Sequence, residues 1–577
     1  MFALARLREL GGAGKLRPNT LDRLLARARR PLDRAYERRA VALDGMAALS
    51  AQVGGPVDGP VDARVDGPVT DSKLARTAGL RVLVASLRGW STHNAYELVI
   101  AQALRMRGAE VALLTCGGGM PACELGWARH AHPRPCDRCA WLTDSVIEVA
   151  DLRHYRLGDL LPWGKDARAA PVKPTGASAA DARQDSLISV AWLLKASLLD
   201  RIPDAQELTE DFAVAAEGVS SAAEAIFEEF EPEVVFLLNG LFGAERQIRR
   251  LALDYGARAP TYEIAPRAGA LVLSQDAAAP EYDVDQLWAA VKDSPLSASQ
   301  RSEVTALLDD RARGIGAHES YYDRVEDDPG ELRRRLSLGR RERVVSLFTN
   351  VTWDSATLGR DIGFASMFDW VEQAVRLAAR QEFVLVVRIH PAEKRWGTRE
   401  EVHEIVLSRL GELPGNVRFI GAEDALSSYA LLDISDLLLT YTTTVGLEAA
   451  VRGKHVAVAG ATHYRGRGFT TDVSGSEDLA RVLRQEPAEL PRAGVELALR
   501  YAHMFFFRAM IPFPLIGAEA GRVKRFPREA AALAPGADPY LDWICERILD
   551  GGSFGLPDEL ARVARTEARA GTGARAG

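Results

Sequence analysis

Several short runs of this 577-residue chain are apolar at successive positions rather than at alternate ones. They are RVLVAS at 81–86, EVVFLLNG at 233–240, VVSLF at 344–348, FVLVVRIH at 383–390 and LLL at 437–439. A run this short and apolar on both faces reads as a strand covered on both sides, which is the setting of parallel strands joined by helical crossovers. Helical periodicity fills the intervals at 95–107, 187–230, 242–255, 364–379 and 400–413. A β-loop-α-β order of this kind is a doubly wound α/β unit. It begins once near residue 80 and again near residue 343, so two such units are expected, with the charged stretch 276–340 between them.

Composition narrows the class. The apolar share is 47%, the charged share 26% and the net charge -7, as in an ordinary globular protein and unlike a general nucleic-acid binder. No run of about 18 apolar residues exists, so no membrane-spanning helix is expected. Five cysteines in a chain of this length do not make a disulfide scaffold. A cytoplasmic location is the expectation, with no leader segment in MFALARLREL. Residues 1–42 carry eleven Lys/Arg against four Asp/Glu, interspersed with leucines. A basic amphipathic helix there would suit the inner face of an anionic membrane, or would be a solvated helix on its own domain. The Pro/Gly/Asp repeat GGPVDGPVDARVDGPV at 54–69 reads as a linker and RTEARAGTGARAG as a disordered tail.

Ligands of open α/β sheets sit beyond the carboxyl ends of the strands, so the polar residues there are the candidates. The stretch DLLLTYTTTVGLEAA at 436–450 runs from a buried strand through Thr442, Thr443 and Thr444 into a helix holding Gly446 and Glu448. A helix start with hydroxyls suits an anion, and equally the threonines could cap only their own backbone. Other strand ends carry His93, Asn239, Glu263, Asn350, Asp354, Arg388, His390 and Glu393, with Glu245 opening the helix after Asn239. Arg465 and Arg467 lie in a Gly/Arg loop able to clamp an anion or to be a plain surface turn. Cys116, Cys123, Cys136 and Cys139 fall within 24 residues, the last two as Cys-x-x-Cys. That grouping fits a structural zinc site or buried thiols, and its spacing matches no standard finger.

RIHP at 388–391, TTTVGLEAA, the loop YRGRGFT and FTNVTWDSA together resemble a GT-B glycosyltransferase, within it the capsule polysaccharide biosynthesis group that includes Kdo and sialic acid transferases. The resemblance covers about residues 80 to 480. It implies two Rossmann-like domains facing across a cleft, to which this chain adds a helical N-terminal extension outside the family pattern. The division read along the chain is an Arg-rich helical extension at 1–52, a linker at 53–78 and an acceptor domain at 79–275 with the Cys-rich insertion 116–139. A bridge at 276–340, a nucleotide-sugar domain at 341–490, C-terminal helices packing across the domains at 491–562 and a tail at 563–577 complete it. Arg388, His390, Glu393, Thr442, Thr443, Thr444, Arg465 and Arg467 would then hold the donor phosphate and nucleotide, and Glu448 the ribose. His93, Glu263 and Asp354 are the candidates for catalysis, Asn239 and Glu245 for the acceptor side. A CMP-sugar donor is favoured, the acceptor being a polysaccharide or glycolipid. With no DxD motif standing out among the strand ends, no metal is required at the donor. Alternatives on the same fold are polyol-phosphate transfer from a CDP-alcohol and UDP-sugar epimerisation; a non-enzymatic envelope-assembly scaffold is the remaining one.

Overall fold

The computed structural model describes residues 79–131, 134–176, 179–275, 277–315, 326–486, 488–519 and 522–561, together with Ala48, Leu49 and Gln52. The Arg-rich start, the linker and the tail lie almost wholly outside the described residues, and so does the membrane contact expected of the first. Among the described residues no helix is long and apolar enough to cross a membrane.

The first unit is built from β1 (Arg81–Ala85), β2 (Glu110–Thr115), β3 (Arg153–Arg156), β4 (Val234–Leu238), β5 (Thr261–Ile264) and β6 (Ala270–Ser274). The second holds β7 (Val344–Phe348), β8 (Val384–Arg388), β9 (Val417–Ile420), β10 (Leu437–Thr440), β11 (Val456–Val458) and β12 (Thr471–Asp472). One further strand, β13 (Met510–Pro512), returns to the first. The two sheets run β13-β6-β5-β4-β1-β2-β3 and β12-β11-β10-β7-β8-β9. The second is parallel throughout, and its order is that of a doubly wound dinucleotide fold. The first repeats that order over β1 to β5, then adds β6 and β13 antiparallel at one edge. The two Rossmann-like units expected from the apolar runs are both present. The runs are buried as that reading requires: Val82–Val84, Val235–Leu237, Val344, Val345 and Leu438 have no measurable exposure.

Three elements depart from the sequence reading. RHYR forms β3 in a stretch to which the sequence reading assigns no strand; it is the edge strand, where polar side chains are tolerated. The helix after β1 starts at Ser91, not at residue 95, so Ser91–Asn94 make its first turn and not a loop. The start of the 491–562 segment, expected to be helical, is the helix Arg492–Met504, a π-helical turn Phe505–Ala509, and then β13. A π-turn shifts the register by a residue and lets the chain leave the helix towards another partner. By this route the chain passes from the second unit back to the first.

That return is apolar. Tyr501, Met504, Phe505, Phe506 and Met510 share one buried cluster with Val272 of the first sheet and with Val386, Leu438 and Leu447 of the second unit. Further on, the helix Pro539–Asp550 packs its Tyr540, Leu541, Ile544 and Ile548 among Val82, Val99 and Val234. Arg258 fixes it by donating to the carbonyls of Ile548 and Leu549, at 2.7 and 2.6 Å.

Candidate functional site

In each sheet the strand order reverses at one place, between β1 and β4 in the first and between β7 and β10 in the second. A crevice opens beyond the strand ends at such a point, because the two connections leave in opposite directions. The four segments at these points are 86–94, 239–243, 349–355 and 441–444. Asn350 bridges the second reversal, its Oδ1 accepting from the Thr442 N–H at 3.1 Å.

The two units touch near these segments. Trp192, at the end of the helix Ala179–Leu194, meets Trp90 with ring centroids 5.6 Å apart and Trp353 at 6.4 Å. Trp90 in turn lies 5.5 Å from the His93 ring. Lys195 places its ammonium over both indoles, 3.5 Å from the Trp192 centroid and 4.0 Å from that of Trp353. Glu400 of the second unit closes the seam, accepting from the Ser197 and Leu198 N–H groups at 2.7 Å each and from the Ser197 hydroxyl at 3.2 Å.

Of the catalytic candidates, Glu263 has the most altered environment. Burial pushes its carboxyl up to about 7, and the carboxylates of Asp354 and Glu245 add to the effect. The Asn239 amide donates to its Oε2 at 3.4 Å, and the Ile264 N–H to its Oε1 at 2.8 Å. Asp354 stands on the opposite unit, its Oδ1 accepting from the Ala356 N–H at 2.9 Å. Glu263 and Asp354 are thus brought within electrostatic reach of one another across the seam. His93 sits in the first helical turn, Nδ1 3.4 Å from the Tyr262 hydroxyl, which itself donates to Glu97 at 2.8 Å.

On the second unit, His390 lies two residues beyond the end of β8. Its backbone N–H donates to the Thr349 hydroxyl at 2.9 Å, and its Nδ1 accepts from the Ala392 N–H at 3.1 Å. Burial, with Arg388 nearby, lowers the imidazole to about 4. It is therefore neutral at pH 7 with its proton on Nε2, a donor and not the positive charge expected of it. The threonine turn follows β10. Thr442 Oγ1 is buried without a hydrogen-bond partner among the described residues, while Thr444 Oγ1 donates to Glu448 at 3.4 Å.

Several expected ligand contacts are instead structural. The Arg388 guanidinium turns inward and donates to the carbonyls of Gly421, Asp424 and Leu426 at 2.7, 3.2 and 3.1 Å. Its place on an inward face of a buried strand forces this, since so buried a cation needs acceptors at hand. Glu393 is buried and receives the Val402 N–H at 3.4 Å. Glu448 has no exposure and is taken up by Arg311, at 3.0 Å, and by the Tyr429 hydroxyl, so it does not stand open to a ribose. Arg465 binds the Val458 and Val473 carbonyls at 2.7 and 3.1 Å; Arg467 pairs with Asp285. Gly446 is explained by packing, since a side chain there would collide with the Tyr464 hydroxyl.

On the acceptor side, Glu245 is buried in a bidentate pair with Arg88, which also pairs with Glu124. Asn239 is a turn residue first, its Oδ1 accepting from Leu241 N–H at 2.8 Å, and a support for Glu263 second. Trp192 and Lys195 were not singled out in the sequence, because they sit at a helix end within a weakly patterned stretch. No sequence signal marks them; in the structure Lys195 has φ +56, where glycine is usual. The four clustered cysteines all line one small cavity beneath the His93 segment.

Residues 314–503 match the family described as "Capsule polysaccharide biosynthesis protein". That span contains the whole second sheet and all but the last residue of the helix Arg492–Met504. Among solved structures the chain is similar to a KpsC β-Kdo 2,4-transferase of Thermosulfurimonas dismutans, at 18% identity and a TM-score of 0.33, over 47% of this chain and 79% of that one. A KpsC β-Kdo 2,7-transferase of the same organism is similar at 12% identity and 0.33, over 52% and 84%. A UDP-GlcNAc 2-epimerase of Neisseria meningitidis gives 12% identity and 0.27, over 74% and 98%. No curated protein matches the chain.

Proposed function

We propose that this chain, whose residues 314–503 match the capsule polysaccharide biosynthesis family, is a glycosyltransferase taking a nucleotide-sugar donor, with a CMP-sugar favoured. The acceptor is a surface polysaccharide or glycolipid. The observation that carries the reading is the placement of Glu263 and Asp354, from opposite units, within electrostatic reach of one another, with burial raising the Glu263 carboxyl to about 7.

In this reading the acceptor hydroxyl oxygen attacks the anomeric carbon of the donor sugar, and the bond from that carbon to the phosphate oxygen breaks. Glu263 takes the hydroxyl proton, a task for which a carboxyl poised near the working pH is suited. Asn239 holds it in place, and Asp354 keeps it basic by its charge. The nucleotide leaves with the bonding electrons, and its phosphate receives hydrogen bonds from His390 Nε2–H and the hydroxyls of Thr442 and Thr443. Trp90 and Trp192 offer faces for a sugar ring. Lys195, lowered to about 8 by burial, supplies a positive charge beside them for an anionic sugar.

A thermal-shift panel of CMP-, CDP-, UDP- and GDP-linked ligands, followed by a transfer assay with the stabilising donor, tests this directly. Stabilisation by a nucleotide sugar together with sugar transfer is the expected result. Lys195→Met should raise the acceptor KM at least tenfold with donor affinity unchanged. No stabilisation by any nucleotide would overturn the reading, and so would epimer formation from UDP-GlcNAc without transfer.

A further inference from the structure

Four of the five cysteines come from three separate pieces of chain and line one cavity. Cys116 directly follows β2. Gly117, Gly118 and Gly119 then turn the chain with φ of +64, +96 and +95, a conformation that side-chain-bearing residues avoid. Cys123 is held in a tight turn closed by two backbone bonds with Gly126, at 3.1 and 2.9 Å. Cys136 and Cys139 occupy the first turn of the helix Pro135–Ala150, on the face that looks back at the other two. The thiols are reduced: no cysteine is paired with another. The Gly89 N–H donates to Cys139 Sγ at 3.1 Å, the kind of bond that supports a sulfur carrying negative charge.

We propose that Cys116, Cys123, Cys136 and Cys139 form a tetrathiolate site for one structural zinc ion, which fixes the segment leading to His93. The small cavity lined by the four thiols is the place for such an ion. Its remaining walls are Leu87, Met120, Leu125 and Pro135 with Arg88, a mostly dry surround that favours tight coordination. As placed, the four side chains surround the cavity without closing on a common centre; among the described residues no three His, Cys, Asp or Glu side chains are set to hold an ion. Coordination therefore requires side-chain rotations that draw the four sulfurs to about 2.3 Å from zinc. The bond from Gly89 and the pairing of Arg88 with Glu124 and Glu245 carry the constraint to the seam. A zinc ion here would thus act on the acceptor side through backbone position, not through substrate contact.

Elemental analysis of the full chain purified without chelator should give one zinc per chain. Stepwise addition of a mercurial in the presence of a zinc-sensitive dye should release that zinc as four thiols react. Cobalt substitution of the wild-type chain should give the strong ligand-field bands of a tetrahedral thiolate site, a readout that needs no variant. Cys136→Ser/Cys139→Ser should lose the metal; if that variant does not fold, the cobalt spectrum and the mercurial titration decide alone. A zinc content near zero with all five thiols freely titratable would overturn the proposal. Iron with acid-labile sulfide in place of zinc, or disulfides among the four, would overturn it equally. None of these outcomes depends on the identity of the donor.

Discussion

Glu263 is where residue-level chemistry is most informative. A carboxyl at the end of a strand would ordinarily titrate far below neutrality; here burial moves it up to about 7, with Asp354 across the seam contributing. A base must be deprotonated to accept a proton, so kcat/KM should rise with pH through about 7 and then level off. Glu263→Gln should lower kcat about 10²- to 10⁴-fold and remove that limb of the pH profile, while donor binding stays within twofold. A pH–rate profile of the two proteins checks this; an unchanged limb in the variant would reassign the base. Residue identity alone marked Glu263, His93 and Asp354 as strand-end candidates, but it did not separate them. That separation needs burial and the neighbouring unit, which are properties of the folded chain.

At the scale of the element, β8 shows both what periodicity reveals and what it hides. Its apolar run announces a buried parallel strand, and His390, two residues beyond its end, is at the sheet edge as expected. Arg388, two residues earlier, reads in sequence as a phosphate ligand beside His390. In the fold it is part of the strand itself, and its guanidinium serves three carbonyls of the 421–426 segment. Arg388→Met should therefore destabilise the second unit by at least about 2–3 kcal/mol, since buried carbonyls left without donors cost roughly 1–3 kcal/mol each. Denaturant unfolding measures this; full stability with lost nucleotide affinity would restore the ligand role. The same blindness applies to Glu448, whose partners Arg311 and Tyr429 lie on other elements. Strand β3 escaped notice for another reason: an edge strand has no need of an apolar face, so RHYR carries no strand signal. β13 was obscured because its residues continue an aromatic helix until the π-turn at Phe505–Ala509 redirects them.

On the scale of the whole molecule, two similar sheets are held with their reversal points adjacent by one apolar return of the chain and one polar seam. The return, through Tyr501 to Met510, gives a shared core. The seam is local: Glu400 receives two N–H groups and a hydroxyl, and Lys195 lies between indoles of opposite units. Glu400→Ala should speed amide hydrogen exchange at Ser197 and Leu198 at least tenfold and leave β8 protected, because only those amides lose their acceptor. Equal protection in the variant would show that other contacts hold the seam.

The central claim is that a nucleotide leaving group rests beyond β7, β8 and β10, against His390 and the threonine turn. Isothermal titration of CMP into the full chain, its Glu263→Gln form and its His390→Ala form tests it most directly. The account predicts one site in the first two with the same affinity, and at least a tenfold weaker one in the third, the loss of a hydrogen bond to a charged group being about 1.5–3 kcal/mol. Equal affinity in all three, or no binding of this or any other nucleotide to the unmodified chain, would contradict it.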